Sequence, residues 1–128
     1  MKSYRDLIAW QKAMTLAELV YDITSSFPGD ERFGMVSQLR RCAVSIASNL
    51  AEGQGRLTTR DWQHFLAQAR GPTYELQTQL ELALRLRITD KEKIEAGVNV
   101  ADEVGRIINA LLSSTRQNPV RKRIGNPT

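Results

Sequence analysis

Four stretches of the chain repeat apolar residues at the three- and four-residue spacing of an α-helix. The second stretch is the most informative of them, and its apolar face consists of Leu39, Ala43, Ile46 and Leu50. The opposite face is polar and mostly short, with Arg41, Ser45, Ser48 and Glu52. Because small residues dominate between these positions, the helix backbone can approach its neighbours closely. We predict that this stretch is the central packing helix of a small helical bundle.

The first stretch carries apolar residues on two sides. One stripe consists of Leu7, Trp10, Met14, Ala17 and Tyr21. The second stripe consists of Leu16, Leu19, Val20 and Ile23. A surface helix usually has a single apolar stripe. Two stripes therefore predict burial on more than one side, by bundle neighbours or by another subunit.

The third and fourth stretches have the seams of packed helices. The third seam is Trp62, Leu66, Ala69, Thr73, Leu76, Leu80 and Ala83, widened by Phe65, Leu82 and Leu86. An interior proline, Pro72, removes one backbone hydrogen bond at a cost of about 3 kcal/mol. The apolar period continues in register across it, which predicts a kinked but unbroken helix. The fourth seam is Ile94, Val98, Ala101, Gly105, Ile108, Leu112 and Thr115.

These stretches predict an all-α fold with helices over about residues 5–26, 34–54, 59–87 and 90–115. Short links make sequential helices antiparallel, so we expect an up-down-up-down four-helix bundle over residues 1–115. The remaining residues, 116–128, are expected to form a basic disordered tail. A chain of 128 residues is long enough for one domain with its own core.

The compartment is also constrained by the sequence. The single cysteine excludes an internal disulfide, and no basic-then-apolar leader is evident at the start. The longest apolar runs fall far short of the ~18 residues that a membrane span needs. We therefore expect a cytoplasmic protein without a membrane partner.

The net charge of +4 is unevenly distributed along the chain. Segments 32–87 and 116–128 each carry +4, whereas segments 1–31 and 88–115 each carry −2. This asymmetry indicates a polyanion partner or self-association of acidic against basic surfaces, while a solvated surface with a loose tail is the plainer interpretation. The predicted nucleic-acid contacts are Arg40, Arg41, Arg56, Arg60, Arg70, Arg116, Arg121, Lys122 and Arg123.

Arginine suits phosphate because its planar fork donates two parallel hydrogen bonds. The sequence contains no zinc finger, no aromatic RNA-recognition motif and no other known reader module. Binding should therefore be mostly to the nucleic-acid backbone, weakly sequence-specific and strongly salt-dependent.

Residues for catalysis or metal binding are scarce. Asp61-x-x-His64 is similar to one carboxylate–histidine motif of di-iron bundles, but those sites need two such motifs and further carboxylates. His64 is the single histidine, so we expect it at solvent or at an interface. The arginines beside Cys42 could lower its thiol pKa, although a buried and inert cysteine fits its apolar surroundings better. We expect no catalytic, cofactor-binding or metal site, and so no enzymatic activity.

Three further polar residues, Glu52, Glu75 and Gln79, are predicted to make structural contacts. Glu75 and Gln79 are four residues apart and share a helix face. Buried polar groups need partners, so hydrogen bonds between helices or across a subunit contact are the first interpretation. A binding role is the alternative.

Three runs of the chain resemble the four helix bundle protein family, also called the 23S rRNA intervening-sequence protein family. The runs are YRDLIAWQKAMTLA, FPGDERFGMVSQLRRCAVSIASNLAEGQGR and YELQTQLELA. Together they extend the resemblance over roughly residues 4–115, in order. The resemblance implies a bacterial bundle that assembles into a ring-like homo-oligomer, most often a pentamer. It also extends in fold to accessory proteins of diversity-generating retroelements, which are associated with a reverse transcriptase and its RNA.

The sequence and the resemblance together predict a non-enzymatic, oligomeric accessory protein that binds RNA or DNA. The second and third helices and the tail would supply the contacts. The alternative is an oligomeric scaffold that binds a protein partner, such as a reverse transcriptase, without touching nucleic acid.

Overall fold

The computed structural model describes residues 3–117, which form four α-helices and three short helical turns. The helices are α1 (Ile8–Thr24), α2 (Ser37–Gln54), α3 (Thr59–Arg85) and α4 (Lys91–Gln117). Two 3-10 turns, Tyr4–Asp6 and Gly29–Glu31, precede α1 and α2, and a π-helical turn over Arg32–Val36 leads directly into α2. The four helices pack as a bundle, which confirms the all-α prediction. Within the described range, no helix has the length and apolarity to cross a membrane.

Hydrogen bonds between helices fix the antiparallel register. Gln63 Nε2 donates to Thr115 Oγ1 at 3.1 Å, and Gln77 Nε2 donates to Asp102 Oδ1 at 3.0 Å. As the residue number rises along α3, its partner on α4 falls, so the two helices run in opposite directions. Each helix packs against its sequence neighbours, and α1 also packs against α4.

The bundle therefore has two distinct ends. The upper end carries the α1–α2 and α3–α4 links, which the hydroxyls of Ser26 and Thr89 join at 2.7 Å. The lower end carries the α2–α3 link and the C-terminus of α4. The predicted tail lies outside the described residues from 118 onward, and α4 itself continues to Gln117.

The core follows the predicted seams of α2 and α3. Every residue of the α2 apolar face and of the α3 seam is at most 1% exposed, and Trp62 is the largest of them. Full burial of a large apolar side chain contributes about 1.5–3 kcal/mol. The predicted widening of the α3 seam was wrong for Leu82 and Leu86, which are 45% and 59% exposed. At about 100° per residue, Leu82 lies roughly opposite Leu80 on the helix.

The two stripes of α1 have different environments. Leu16, Val20 and Ile23 of the second stripe are buried, together with Ala9 and Ala13, which the sequence pattern did not single out. In the first stripe Leu7 is buried, but Met14 and Tyr21 are 40% and 45% exposed. Within a single subunit, therefore, much of the first stripe remains open to solvent.

Helix α3 is unbroken through Pro72, as its continuous apolar period predicts. The preceding residue is Gly71, which has no Cβ to clash with the proline ring and so tolerates the helical conformation. The helix starts at a cap in which Thr58 Oγ1 accepts from the backbone N–H of Asp61 at 3.1 Å. The helix ends at Arg85 and is followed by a left-handed cap. In this cap Arg87 has a φ of 55°, and the backbone N–H groups of residues 87 and 88 donate to the carbonyls of Leu84 and Ala83.

Helices α2 and α3 approach each other closely at Gly53. A Cβ built at Gly53 would lie 2.6 Å from Phe65 Cβ and 2.9 Å from Trp62 Cε3. Because Phe65 Cβ is attached directly to the backbone, it cannot move aside without a shift of α3. The absence of a side chain at this position therefore sets the spacing of the two helices.

We expect Gly53→Ala to destabilise the protein by about 2 kcal/mol, since overpacking of a core typically costs 1–3 kcal/mol. Urea unfolding at one protein concentration measures the change as a lower midpoint with an unchanged slope. Gly29→Ala is the matched control, because a Cβ at Gly29 meets nothing within 4 Å. An unchanged midpoint for Gly53→Ala would contradict the close packing.

Candidate nucleic-acid interface

Three of the predicted arginines lie at the lower end of the bundle. Arg56 is in the α2–α3 link, where it pairs with Glu52 at 2.6 Å and lies 4.9 Å above the Phe65 ring. Arg60 and Arg116 are brought to the same end because they lie within one turn of the hydrogen-bonded residues Gln63 and Thr115. Both are exposed, and neither forms an ion pair within residues 3–117.

Two arginines lie towards the upper end, at the start of α2. Arg40 is half-buried, since its Nε donates to Thr24 Oγ1 at 2.9 Å and its guanidinium lies 4.5 Å above the Tyr21 ring. Arg41 is exposed, and the described part of the chain gives it no carboxylate partner. Arg40 is thus held against α1, whereas Arg41 is open to a ligand.

Arg70 lies between these groups, on the side of α3 that faces α4. Its Nη1 is 3.5 Å from Asn109 Oδ1. The structure therefore places the predicted residues in two groups at opposite ends, with Arg70 between them. Arg121, Lys122 and Arg123 lie outside the described residues. Of the six described arginines in the prediction, only Arg56 is paired with a carboxylate in the described range.

The three predicted polar residues have different surroundings. Glu75 is exposed, and its Oε2 accepts from Cys42 Sγ at 3.6 Å, which links α3 to α2. Gln79 is half-buried, and its Oε1 has no hydrogen-bond partner among the described residues. Glu52 contacts Arg56 one turn further along the chain. Their proposed roles, in interhelical or intersubunit contacts, stay predictions.

Cys42 is in an environment that suppresses its reactivity. The side chain is 6% exposed. Burial and then the carboxylate of Glu75 raise the thiol pKa from 9.0 to about 11, and the opposing effect of Arg41 is smaller. Because the thiolate is the reactive form, these surroundings favour the inert interpretation of this cysteine.

His64 is exposed and packs edge-on against Phe65, with ring centroids 5.2 Å apart. Among residues 3–117 no group of three or more histidine, cysteine, aspartate or glutamate side chains is arranged to hold a metal ion.

Sequence reasoning predicted only the α1 side of one surface, through the first stripe of α1, and missed a second surface. The first is an apolar groove between α1 and α2, of about 310 Å³, here called the outer face; it is lined by Tyr4, Trp10, Met14, Ala17, Val44, Ala47, Ser48 and Ala51. The second is a polar groove between α3 and α4 that includes Tyr74 and Arg106. The acidic balance of residues 88–115 concealed Arg106, and the small side chains of α2 were interpreted only as internal packing.

The described residues thus form an all-α protein, an antiparallel four-helix bundle with surface arginines that lack carboxylate partners in the described range. The profile of the 23S rRNA-intervening sequence protein family matches residues 5–110. The chain belongs to this family.

A solved structure supports the fold independently. The chain is similar to a protein of unknown function from the S23 ribosomal protein family of Bacteroides thetaiotaomicron, with a TM-score of 0.73 and 21% identity. The match covers 82% of this chain and 98% of the other. At this identity the similarity establishes the shared fold alone. No functionally curated protein matches the sequence.

The raised pKa of Cys42 leads to a test of its reactivity. At pH 8 a thiol with a pKa of about 11 has roughly a hundredfold less thiolate than one with a pKa of 9.0. We expect the folded protein to react with iodoacetamide at least a hundredfold more slowly than the urea-unfolded chain. In Glu75→Gln the rate should rise, because the carboxylate that disfavours the thiolate is removed. Equal rates for folded and unfolded protein would contradict the inert interpretation.

Proposed function

We propose that this protein is a non-enzymatic, oligomeric accessory protein of the cytoplasm that binds RNA or DNA through the phosphate backbone. The observation that carries the proposal is the set of arginines without carboxylate partners in the described chain. Arg41, Arg60 and Arg116 are exposed, and Arg70 faces the groove between α3 and α4. Phosphates would supply the counter-charge that the described carboxylates do not.

Assembly is the second part of the proposal, and the outer face supports it. Met14 and Val44 are apolar residues of this groove, yet they are 40% and 48% exposed. The α2 side of this groove is built from short side chains, so a helix of another copy could approach the backbone closely. The proposed occupant is a second copy of the chain, because the surface carries complementary charges. Glu18 and Asp22 of α1 are exposed, and so is Arg41 of α2, which has no carboxylate partner among residues 3–117.

Self-association would also strengthen nucleic-acid binding. Each copy contributes only a few phosphate contacts, and these lie at both ends of the bundle. Repetition of the contacts around an oligomer raises the effective concentration of the second and later contacts, so weak sites act together. The pentamer expected from the family resemblance is one such arrangement.

The lower-end arginines provide a test of backbone binding. In a fluorescence anisotropy titration of single-stranded RNA at several salt concentrations, we expect the double variant Arg60→Gln, Arg116→Gln to bind more weakly. The slope of log K against log salt should fall by about 1.4 if each subunit site loses two phosphate contacts, each worth about 0.7.

Arg85→Gln is the control for this titration, because it removes the same charge from an arginine that already pairs with Glu81 at 3.2 Å. It should leave affinity and slope nearly unchanged. If the unaltered protein binds no better than a neutral protein at ~50 mM salt, phosphate binding is refuted. A protein-binding scaffold, the alternative function, would then be favoured.

The outer face provides a test of assembly. Light scattering of the unaltered protein at micromolar concentration should give a multiple of 14.4 kDa, about 72 kDa for five copies. Val44→Glu places a charge in the proposed contact, and we expect it to shift the mass toward 14.4 kDa because an unpaired charge is costly to bury.

Leu82→Glu is matched to this variant, since Leu82 is 45% exposed on α3 and lies outside the outer face. It should leave the assembly intact. If Leu82→Glu dissociates the protein and Val44→Glu does not, the interface is on α3. A mass of 14.4 kDa for the unaltered protein would refute assembly altogether.

A further inference from the structure

The groove between α3 and α4 has the chemical character of a small polar ligand site. It is about 210 Å³ in volume and is lined by Tyr74, Gln77, Asp102, Gly105, Arg106 and Asn109. We call it the Tyr74 groove. Its volume is smaller than that of most sites for drug-sized ligands, which begin near 300 Å³. The groove would therefore accommodate only a small group.

Tyr74 presents an aromatic surface in a fixed orientation. The residue is 47% exposed, yet its hydroxyl accepts a hydrogen bond from Asn109 Nδ2 at 3.2 Å. Asn109 Oδ1 is in turn 3.5 Å from Arg70 Nη1. The ring is therefore held from the α4 side while about half of the residue remains open. An ordered, exposed ring of this kind is a stacking surface for a flat group.

Amide groups and a glycine complete the groove. Gln77 lines the groove and its Nε2 donates to Asp102 Oδ1 at 3.0 Å, a hydrogen bond that does not use its amide oxygen. A Cβ at Gly105 would lie 3.5 Å from the Gln77 amide nitrogen and 3.7 Å from Thr73 Cγ2. Any larger side chain would narrow the groove. Amides that both donate and accept match the polar edge of a nucleobase.

Two cations accompany this polar surface. Arg70 contacts the groove through Asn109, and Arg106 lines it directly. Arg106 is exposed and has no ion pair within residues 3–117. The groove contains one carboxylate, Asp102, which already accepts from Gln77. Positive charge beside an aromatic ring is the combination that single-stranded nucleic acids select.

We propose that the Tyr74 groove binds one unpaired nucleotide of a single-stranded nucleic acid. The base stacks on Tyr74, its polar edge meets the amides of Gln77 and Asn109, and the flanking phosphates meet Arg70 and Arg106. This inference rests on the proposed function and deepens it, because backbone contacts alone do not distinguish single strands from duplexes. A base inside a duplex cannot reach the ring, so the groove confers a preference for unpaired strands.

The groove lies on the side of the bundle away from the outer face. The helices pack in the cyclic order α1, α2, α3, α4, so the α1–α2 groove and the α3–α4 groove lie on opposite sides. Assembly through α1 and α2 would leave the Tyr74 groove accessible on each copy. The two proposals therefore use different parts of the surface.

The test is fluorescence anisotropy with single-stranded RNA, single-stranded DNA and a duplex of the same sequence. Tyr74→Ala should weaken binding of both single strands about tenfold, because base–aromatic stacking is worth about 1–3 kcal/mol per base. Its duplex affinity and its salt slope should be unchanged, since no phosphate contact is lost. Tyr74→Phe keeps the ring and should restore binding to within about twofold of the unaltered protein.

Two controls separate stacking from loss of structure. Leu82→Ala truncates a side chain of similar exposure on the same helix and should bind like the unaltered protein. Circular dichroism melting of each variant checks that the bundle is intact. Equal single-strand affinity for Tyr74→Ala and the unaltered protein overturns the groove site while leaving backbone binding in place. Absence of binding by the unaltered protein to all three probes overturns both proposals.

Discussion

The close contact between α2 and α3 is the constraint on which the remaining structure depends. Gly53 brings the α2 backbone against Trp62 and Phe65, and a side chain as small as a methyl group would force the helices apart. The same shortness of α2 side chains has a second effect on the opposite side of the helix. There Val44, Ala47 and Ala51 leave the outer face shallow and apolar. One compositional property of α2 thus determines both its internal packing and the surface proposed for assembly.

Much of the fold could be predicted from the sequence because the apolar period in α2 and α3 is regular. Trp62 and Leu80 are buried as predicted, and α3 continues through Pro72. The prediction that Leu82 widens the seam was wrong because it rested on hydrophobicity alone, whereas helix geometry places Leu82 on the other side of α3. The Tyr74 groove could not be predicted, since it depends on the register that brings Asn109 opposite Tyr74 across two helices. Local spacing does not determine that register.

The net charge of a segment did not reveal which charged residues are available at the surface. Segment 88–115, which contains most of α4, sums to −2, and this total gave no reason to consider Arg106 as a ligand contact. In three dimensions Glu103 is paired with Lys12 of α1 at 3.5 Å, and Asp102 accepts from Gln77. Two of the carboxylates that make the segment acidic are therefore engaged by neighbouring helices. Charged groups without a partner contribute most to the electrostatic field at the surface. The net charge of a sequence segment is therefore a poor guide to a binding site.

Pro72 affects the flexibility of α3. Proline has no amide hydrogen, so the carbonyl of Gln68 lacks its usual donor and one backbone hydrogen bond of α3 is missing. A helix flexes most readily at such an interruption. Arg60 and Arg70 lie before this hinge and Tyr74 lies after it. Flexing of α3 at this point would alter the distance between its lower arginines and the aromatic ring, and so let the proposed binding surface fit strands of different curvature.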